Sequence, residues 1–219
     1  MDESPCHHSH RHSQRVKDHL KFEEFKNVHA EEKIVVCGLG ESVALVQRIS
    51  ATTIGVNDIG RLFHPTYLLN VNNISQYKGD RYSYIANTQA KYLFTHTPKE
   101  NVGVRIPIVP FEIEPRSGGV EVVGNRVPHF RNTPYMGVAL AAYMGAKRVG
   151  VIGVDFTDNH FWVKDGPHRL NSDFERINAQ YGKLAAHLKT LGTEVFNLSP
   201  ISRLTTLPKI SLDQWNATT

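Results

Sequence analysis

The sequence predicts an α/β, Rossmann-like protein with a mostly parallel twisted sheet and helices on both faces. Short apolar runs of strand length alternate with helical segments, which favours parallel strands joined by crossovers. The run VGVIGV at 149–154 is wholly apolar, as expected for a strand buried on both faces, and it ends on Asp155. Ligands bind just outside the carboxyl ends of strands in such sheets, so this sequence predicts a polar ligand beside Asp155.

The predicted order of elements is β-α-β-β-β-α-β-α-β. Apart from 149–154, the predicted strands are 33–37, 52–56, 67–71, 91–96 and 194–198. A helix is expected over 42–49. Residues 97–130 are rich in Pro and Gly, so we expect loops with short strands there, with a lid as one possibility.

Two further helices follow from capping and periodicity. Thr133 is the predicted N-cap of the first, Pro134 suits its first turn and Gly145 ends it. Ser172 and Glu175 predict a capping box for the second. Its apolar stripe comprises Phe174, Ile177, Tyr181, Leu184, Leu188 and Leu191.

The chain is predicted to contain a flexible His-rich arm at 1–32 and a single Rossmann-like nucleotide-binding domain at 33–219. The 219 residues are 40% hydrophobic, which is sufficient for one core. No run of eighteen apolar residues occurs, so no membrane span is expected. Cys6 and Cys37 do not make a disulfide framework, and a cytoplasmic protein with Cys37 buried is the expectation.

Charge and histidine content distinguish the arm from the domain. Residues 1–32 hold five Lys/Arg and seven Asp/Glu, a net charge of −2. The whole chain has a net charge of +4, so residues 33–219 carry about +6. A basic domain suits an anionic ligand such as a nucleotide, or simply has an ordinary basic surface. Five possible metal ligands lie in the arm, namely Cys6, His7, His8, His10 and His12. The alternatives are zinc or nickel binding and an arm whose histidines do nothing specific.

A glycine turn follows the first strand. Gly38 and Gly40 are typical of a turn that brings backbone amides close to a phosphate, but Val43 stands where a dinucleotide fingerprint has its third glycine. Asp58 is only near the position of a ribose-binding acid. A nicotinamide site is therefore disfavoured, while a phosphate-binding turn and a plain strand–helix turn both remain open.

Asparagines cluster after the second and third strands. Asn57, Asn70, Asn72 and Asn73 can donate and accept hydrogen bonds, which suits recognition of a base, ribose or sugar. Asparagine is also common in turns. Because the asparagines lie at successive strand ends, we predict that they contact a ligand.

The segment after 149–154 holds further candidates. Asp155, Asp158 and His160 allow a metal site, a solvated loop or hydrogen bonds from ribose hydroxyls to Asp155, and we favour the last. No metal ligand is assigned in the domain. His168 precedes the last helix and is a candidate general base.

The chain resembles the bacterial sialyltransferases of glycosyltransferase family 42 and the related domain-of-unknown-function 115 proteins. The resemblance covers about 33–73 and 131–204. It is carried by the segments IVVCGLGES, IGVNDIG, YLLNVNN, RNTPYMGVALAAYMGAKRVGVIGVDF and VFNLSPISRL.

The resemblance implies a single Rossmann-like domain that uses a CMP-sugar as donor substrate and requires no metal or other cofactor. It implies His168 as catalytic base and Arg131 as a functional arginine beside the site. The nucleotide-binding residues that it implies are Gly38, Gly40, Asn57, Asn70 or Asn72, Thr133, Asp155 and Phe156.

Three positions depart from that family. Leu39 replaces an Asn between the glycines, Pro134 replaces a Ser, and Thr157 replaces a Tyr that assists the phosphate leaving group. Thr157 is nevertheless placed at the nucleotide site. The chain also leaves little room for the family's acceptor lid.

We therefore predict a nucleotide-sugar-dependent glycosyltransferase, with a small-molecule nucleotide or nucleotide sugar as partner. The acceptor is not assigned, and a homo-oligomer is one possibility. The alternatives are a non-catalytic module that senses or sequesters a nucleotide, and an enzyme acting on nucleic acid or a nucleotide.

Overall fold

A seven-stranded sheet, parallel throughout, forms the centre of the protein and confirms the predicted fold class. The computed structural model describes residues 20–164, 166–167 and 169–218. The strands of this sheet are β1 (Lys33–Cys37), β2 (Thr52–Val56), β3 (Tyr67–Leu69), β4 (Tyr92–Thr95), β5 (Ile108–Pro110), β8 (Arg148–Ile152) and β11 (Glu194–Asn197). Their spatial order is β11-β8-β1-β2-β3-β4-β5, and every neighbouring pair is parallel.

Two smaller pairs of strands lie outside the central sheet. The first consists of β6 (Glu112–Ile113) and β7 (Arg126–Val127) and falls within the predicted loop region. The second is an antiparallel hairpin of β9 (Asn159–His160) and β10 (Val163–Lys164).

Helices cover both faces of the sheet. The α-helices are α1 (Arg81–Ala86), α2 (Thr133–Tyr143), α3 (Phe174–Thr190) and α4 (Leu212–Ala217). The 3₁₀ helices are Phe22–Phe25, Glu41–Arg48, Ile59–Arg61, Ile74–Gln76, Pro98–Glu100 and Asn171–Asp173. None of the helices in the described ranges combines the length and apolarity that crossing a bilayer requires.

Successive side chains of a strand point to opposite faces of the sheet, so the core consists of two clusters, one on each face. Ile34 and Val36 of β1 face the cluster that also contains α2 and α3. Val35 and Cys37 face the opposite cluster, which includes Trp215 of α4. Cys37 is fully buried and free, as predicted, and burial raises the pKa of its thiol.

The described part of the predicted arm packs onto the core. Phe22 and Phe25 are buried, and the Phe22 ring stacks on Tyr143 of α2 with ring centroids 4.9 Å apart. The packed fold therefore begins by Leu20, upstream of the predicted boundary at 32. The histidines and Cys6 of the arm lie outside the described residues.

Both predicted helix caps differ from the structure. The N-cap of α2 is Asn132, whose side chain accepts a hydrogen bond from the Tyr135 amide, and Thr133 is already the first helical residue. The Ser172–Glu175 box does not form, because Ser172 lies inside the 3₁₀ turn Asn171–Asp173. The stripe of α3 is buried as predicted except for Leu191, which lies beyond the helix and is 56% exposed.

Candidate functional site

A cavity of about 250 Å³ lies where the strand order reverses direction. Successive strands β1 to β5 run one way from β1, and β8 and β11 lie on its other side, so the switch point is between β1 and β8. The cavity opens at the carboxyl ends of β1, β2 and β8. Its lining residues are Leu39, Gly40, Val56, Asn57, Asn72, Arg131, Asn132, Thr133, Pro134, Gly153, Val154, Asp155, Phe156, Thr157, Asn159, His160 and Leu170. Open α/β sheets bind ligands in this crevice.

Unusual backbone conformations are concentrated at this cavity. Five non-glycine residues of the described chain have positive φ, and three of them line it: Asn57 at 51°, Arg131 at 61° and Phe156 at 54°. Left-handed backbone costs a residue with a Cβ about 1–2 kcal/mol. Such strain is typical of segments held in place for binding or catalysis, so it supports a functional interpretation of the cavity.

The first turn of α2 forms one wall. Arg131, Asn132, Thr133 and Pro134 all line the cavity, and α2 runs for 11 residues. The positive end of the helix dipole therefore faces the cavity, which favours an anionic ligand group there. The Arg131 guanidinium, 46% exposed, adds a positive charge and lies 3.7 Å from a carboxylate oxygen of Asp173.

The Asn132 amide is fixed in orientation by two donors. Its Oδ1 accepts from the Tyr135 amide at 3.0 Å and from the Tyr181 hydroxyl at 2.8 Å. No described residue accepts a hydrogen bond from its Nδ2. Asn132 was not predicted as the cap from the sequence, although asparagine is a stronger N-cap than threonine and directly precedes Thr133-Pro134.

The Asp155 carboxylate is directed into the protein. Its side chain is 1% exposed, Oδ1 accepts from the Ser42 and Ser199 hydroxyls at 2.6 Å each, and Oδ2 accepts from the Ser42 amide at 2.8 Å. These bonds join the segments that follow β1, β8 and β11. These bonds give Asp155 a positioning role, and its predicted contact with ribose hydroxyls stays a prediction.

The glycine turn is packed against the segment after β8. The Gly38 amide donates to the Ile152 carbonyl at 2.8 Å, and the Gly40 amide donates to the Gly153 carbonyl at 2.7 Å. Both amides are therefore engaged within the protein, which disfavours the predicted phosphate contact through them. A Cβ on Gly38 would lie 2.3 Å from the Gly153 oxygen, and one on Gly40 would lie 2.5 Å from Oδ2 of Asp155. Close packing accounts for both glycines.

The asparagines separate into two groups. Asn57 and Asn72 line the cavity. Asn70 is 1% exposed and lies behind them, where it donates to Asn101 at 2.9 Å and accepts from the Tyr77 hydroxyl at 2.6 Å. Tyr77 Oη is also 3.1 Å from Oδ1 of Asn57. Asn70 thus supports the wall through Tyr77, and the structure does not bring it to the cavity.

The β9–β10 hairpin closes the remaining side. The Phe161 backbone amide donates to the Leu39 carbonyl at 3.0 Å, and the side-chain Nδ2 of Asn159 donates to the Glu41 carboxylate at 3.1 Å. These bonds hold His160 at the cavity wall. Thr157 also lines the cavity, and its hydroxyl has no hydrogen-bond partner among the described residues. His168 lies outside the described residues.

The cavity presents few groups that could hold a metal. Among the described lining residues, Asp155 is the single carboxylate, and both of its oxygens accept hydrogen bonds. Within the ranges 20–164, 166–167 and 169–218, no group of three or more His, Cys, Asp or Glu side chains is placed to hold a metal ion.

Comparison with known proteins identifies the fold and no family. No protein-family profile matches the chain. No curated protein matches it either. Solved structures do: the Maf glycosyltransferase from Magnetospirillum magneticum AMB-1 superposes with a TM-score of 0.55 at 10% identity over 88% of this chain. This chain spans 37% of the length of that protein.

Two structures of a sialyltransferase are similar over most of their length. CstII from Campylobacter jejuni in complex with cytidine-5'-monophosphate gives a TM-score of 0.52 at 10% identity, covering 83% of this chain and 86% of that one. The sialyltransferase CST-II with a trisaccharide acceptor and CMP gives 0.52 at 12% identity, covering 86% and 89%. The chain therefore has the fold found in these glycosyltransferases.

Proposed function

We propose that this chain is a glycosyltransferase that takes a nucleotide sugar, with a CMP-sugar as the leading candidate. The observation that carries the proposal is the cavity at the β1/β8 switch point, lined by amide side chains and by the first turn of α2. The shared fold with sialyltransferases bound to CMP supports the same assignment.

The cavity divides chemically into two ends. Asn57 and Asn72 offer neutral donors and acceptors, which suit a base or ribose. Arg131 and the α2 N-terminus offer positive potential, which suits a phosphate. We therefore propose that the nucleoside lies toward β2 and its phosphate toward α2, with Thr133, Phe156 and Thr157 between them.

The reaction we propose forms one bond and breaks one. An acceptor hydroxyl oxygen bonds to the anomeric carbon while the bond from that carbon to the phosphate oxygen breaks. A histidine takes the hydroxyl proton, and the nucleotide leaves with the electron pair. Arg131 and the α2 dipole stabilise the negative charge that develops on the departing phosphate.

His168 is our proposed base, and His160 is the second candidate because its imidazole belongs to the described cavity wall. Loss of a general base slows turnover by about 10²–10⁴-fold. His168→Ala and His160→Ala should be compared for transfer rate and for nucleotide affinity. Loss of rate with unchanged affinity identifies the base, and normal turnover in both variants rejects a histidine base.

No resident metal is included in the proposal. Of the lining residues that the structure describes, only Asp155 carries a carboxylate, and its oxygens are already hydrogen-bonded. Activity of the purified chain should therefore persist in excess chelator. Loss of activity on chelation, restored by one divalent ion, would reject this part of the proposal.

A thermal-shift screen of nucleotides and nucleotide sugars tests the ligand assignment. A ligand at 100 times its dissociation constant stabilises a fold by about 2.7 kcal/mol. Cytidine nucleotides should give the largest shift. A larger shift with uridine or guanosine nucleotides would replace the CMP-sugar with another nucleotide sugar as the assigned donor. No shift with any nucleotide would reject the proposed function.

A non-catalytic nucleotide-binding module is the second candidate. It is favoured by Thr157, which stands where the resembled family has a leaving-group Tyr. Tight nucleotide binding without donor cleavage or transfer across a panel of CMP-, UDP- and GDP-sugars would select this alternative.

A further inference from the structure

A second cavity adjoins the first across the β9–β10 hairpin. Its volume is about 580 Å³, and the two cavities share Asn159, His160 and Leu170 in their walls. The remaining lining residues are Gln76, Lys78, Arg81, Asp158, Gly166, Pro167 and Arg169. A molecule in the second cavity would therefore lie next to the group bound in the first, with His160 facing both.

Positive charge predominates among the described side chains of this second cavity. The described lining residues include the three cations Lys78, Arg81 and Arg169 and one carboxylate, that of Asp158. Lys78 and Arg169 are exposed, and neither forms an ion pair with another described residue. A concave wall with excess charge of one sign concentrates counterions and ligands of the other sign.

Arg81 differs from the other two cations because its guanidinium is fixed. It donates from Nε and from a terminal nitrogen to the two oxygens of Asp58, at 2.9 and 2.7 Å, and Asp58 is fully buried. The guanidinium carbon also lies 5.5 Å from the ring centres of Tyr77 and Trp162. Arg81 therefore shapes the cavity wall, while Lys78 and Arg169 remain to meet a ligand.

We propose that the second cavity is the acceptor subsite and that the acceptor is a sugar carrying an anionic group, recognised by Lys78 and Arg169. This inference rests on the proposed function, because the donor must occupy the first cavity. Two sources supply the same chemistry, a sugar carboxylate and a sugar phosphate. Each places a localised negative charge beside a hydroxyl that can face His160 and the donor.

Matched ligands test the charge requirement directly. Glucose, glucuronate and glucose 6-phosphate share one ring and differ in the anionic group. Their affinities for the full chain are to be measured by ligand-observed NMR in the presence of saturating CMP. We expect both anions to bind about tenfold or more tighter than glucose, with the advantage shrinking at high salt. The tighter anion identifies the source of the charge.

The double variant Lys78→Gln/Arg169→Gln tests the residues. It should weaken binding of the preferred anion by about 10- to 100-fold and leave CMP affinity within about twofold of the wild type. The control Lys91→Gln/Arg105→Gln removes the same charge from two exposed residues that line neither cavity and should bind both ligands normally.

Three results overturn the inference: glucose binding as tightly as the anions, anion binding unchanged in the double variant, or a variant that loses CMP affinity instead. A different result rejects the proposed function, namely a wild-type chain that binds no nucleotide at all. The two failures are therefore distinguishable.

Discussion

The Ser42 hydroxyl donates a 2.6 Å hydrogen bond to Oδ1 of Asp155 and accepts one of 2.8 Å from the Gly153 amide. The Ser42 amide donates to the other oxygen of the same carboxylate. Ser42, which follows β1, thus fixes both the Asp155 carboxylate and the Gly153 backbone, which follow β8. Because these segments form the cavity wall, its shape depends on a buried contact between strand ends.

Asp155→Asn tests this positioning role. Three donors point at the Asp155 carboxylate, and an amide has only one accepting oxygen, so its nitrogen must face a donor. Leaving a buried donor unpaired costs about 1–3 kcal/mol of unfolding free energy. Urea denaturation should show that loss.

The control for Asp155→Asn is Asp213→Asn, because Asp213 is 89% exposed in a surface ion pair whose removal should change stability little. If Asp155→Asn instead folds with wild-type stability and loses nucleotide affinity alone, then the ribose-contact role predicted from the sequence is correct and the positioning role is not.

Two substitutions of Arg131 distinguish the effect of its backbone strain from the effect of its positive charge. Its φ is 61°, so alanine at this position retains the left-handed strain that glycine avoids. Arg131→Gly should be more stable than Arg131→Ala by about 1 kcal/mol in urea denaturation. Both variants lose the guanidinium, so both should bind CMP about tenfold or more weakly, while cytidine binding changes little.

The comparison of CMP with cytidine locates the role of Arg131. A loss confined to CMP places the guanidinium at the phosphate. Equal losses for both ligands would show that Arg131 acts on the nucleoside or on the fold, and wild-type affinity for both would remove it from the site.

His96 predicts a pH dependence of stability. Burial outweighs the attraction of Glu100 and lowers the pKa of His96 below its ordinary 6.5. The unfolded chain then binds the proton more readily than the folded chain. The stabilisation is complete above pH 6.5 and is lost as the pH falls through that value toward the folded pKa.

The measurement is urea denaturation of wild type and His96→Gln at pH 7.5 and 5.5. The glutamine variant should lose less unfolding free energy on acidification, because it cannot take up the proton. His64→Gln, at an exposed residue, should retain the wild-type difference. An equal loss in wild type and His96→Gln would contradict the predicted pKa shift.

Local patterns predicted six of the seven central strands individually, whereas β5 lies within 97–130, where only short strands among loops were expected. Residues 33–37 and 52–56 match β1 and β2 to the residue, because each apolar run ends at a turn-forming residue, Gly38 after β1 and Asn57 after β2. Helices α1 and α4 were missed, since each has six residues and too few apolar positions to show a period. The position of the cavity followed from the strand ends and the α2 N-terminus.

The chemistry of individual site residues was harder to predict, because their partners are distant in sequence. Asp155 is 113 residues from Ser42 and 44 from Ser199, and no local pattern shows that two hydroxyls and a backbone amide will donate to its carboxylate. Asn70 and Asn72 are two residues apart, yet only Asn72 reaches the cavity. A strand-end position in the sequence predicted which end of the sheet a side chain lies at, whereas burial determines which of these side chains face the cavity.

Substitution of Asn132 tests the contribution of the α2 cap to stability. The Asn132→Ala variant loses the acceptor used by the Tyr135 amide and by the buried Tyr181 hydroxyl. Loss of an N-cap costs about 0.5–2 kcal/mol, and the unpaired tyrosine adds to that cost. Asn132→Asp keeps an oxygen for both donors, so its urea midpoint should stay close to wild type.

The same pair of variants separates folding from ligand binding. Aspartate replaces the Nδ2 donor at the cavity wall with a negatively charged oxygen, so Asn132→Asp should repel a phosphate at the α2 N-terminus and weaken CMP binding more than cytidine binding. Alanine as stable as aspartate would show that the cap contributes nothing. Unchanged CMP affinity in the aspartate variant would place the phosphate away from α2, because a negative charge at the start of this helix would repel a phosphate bound there.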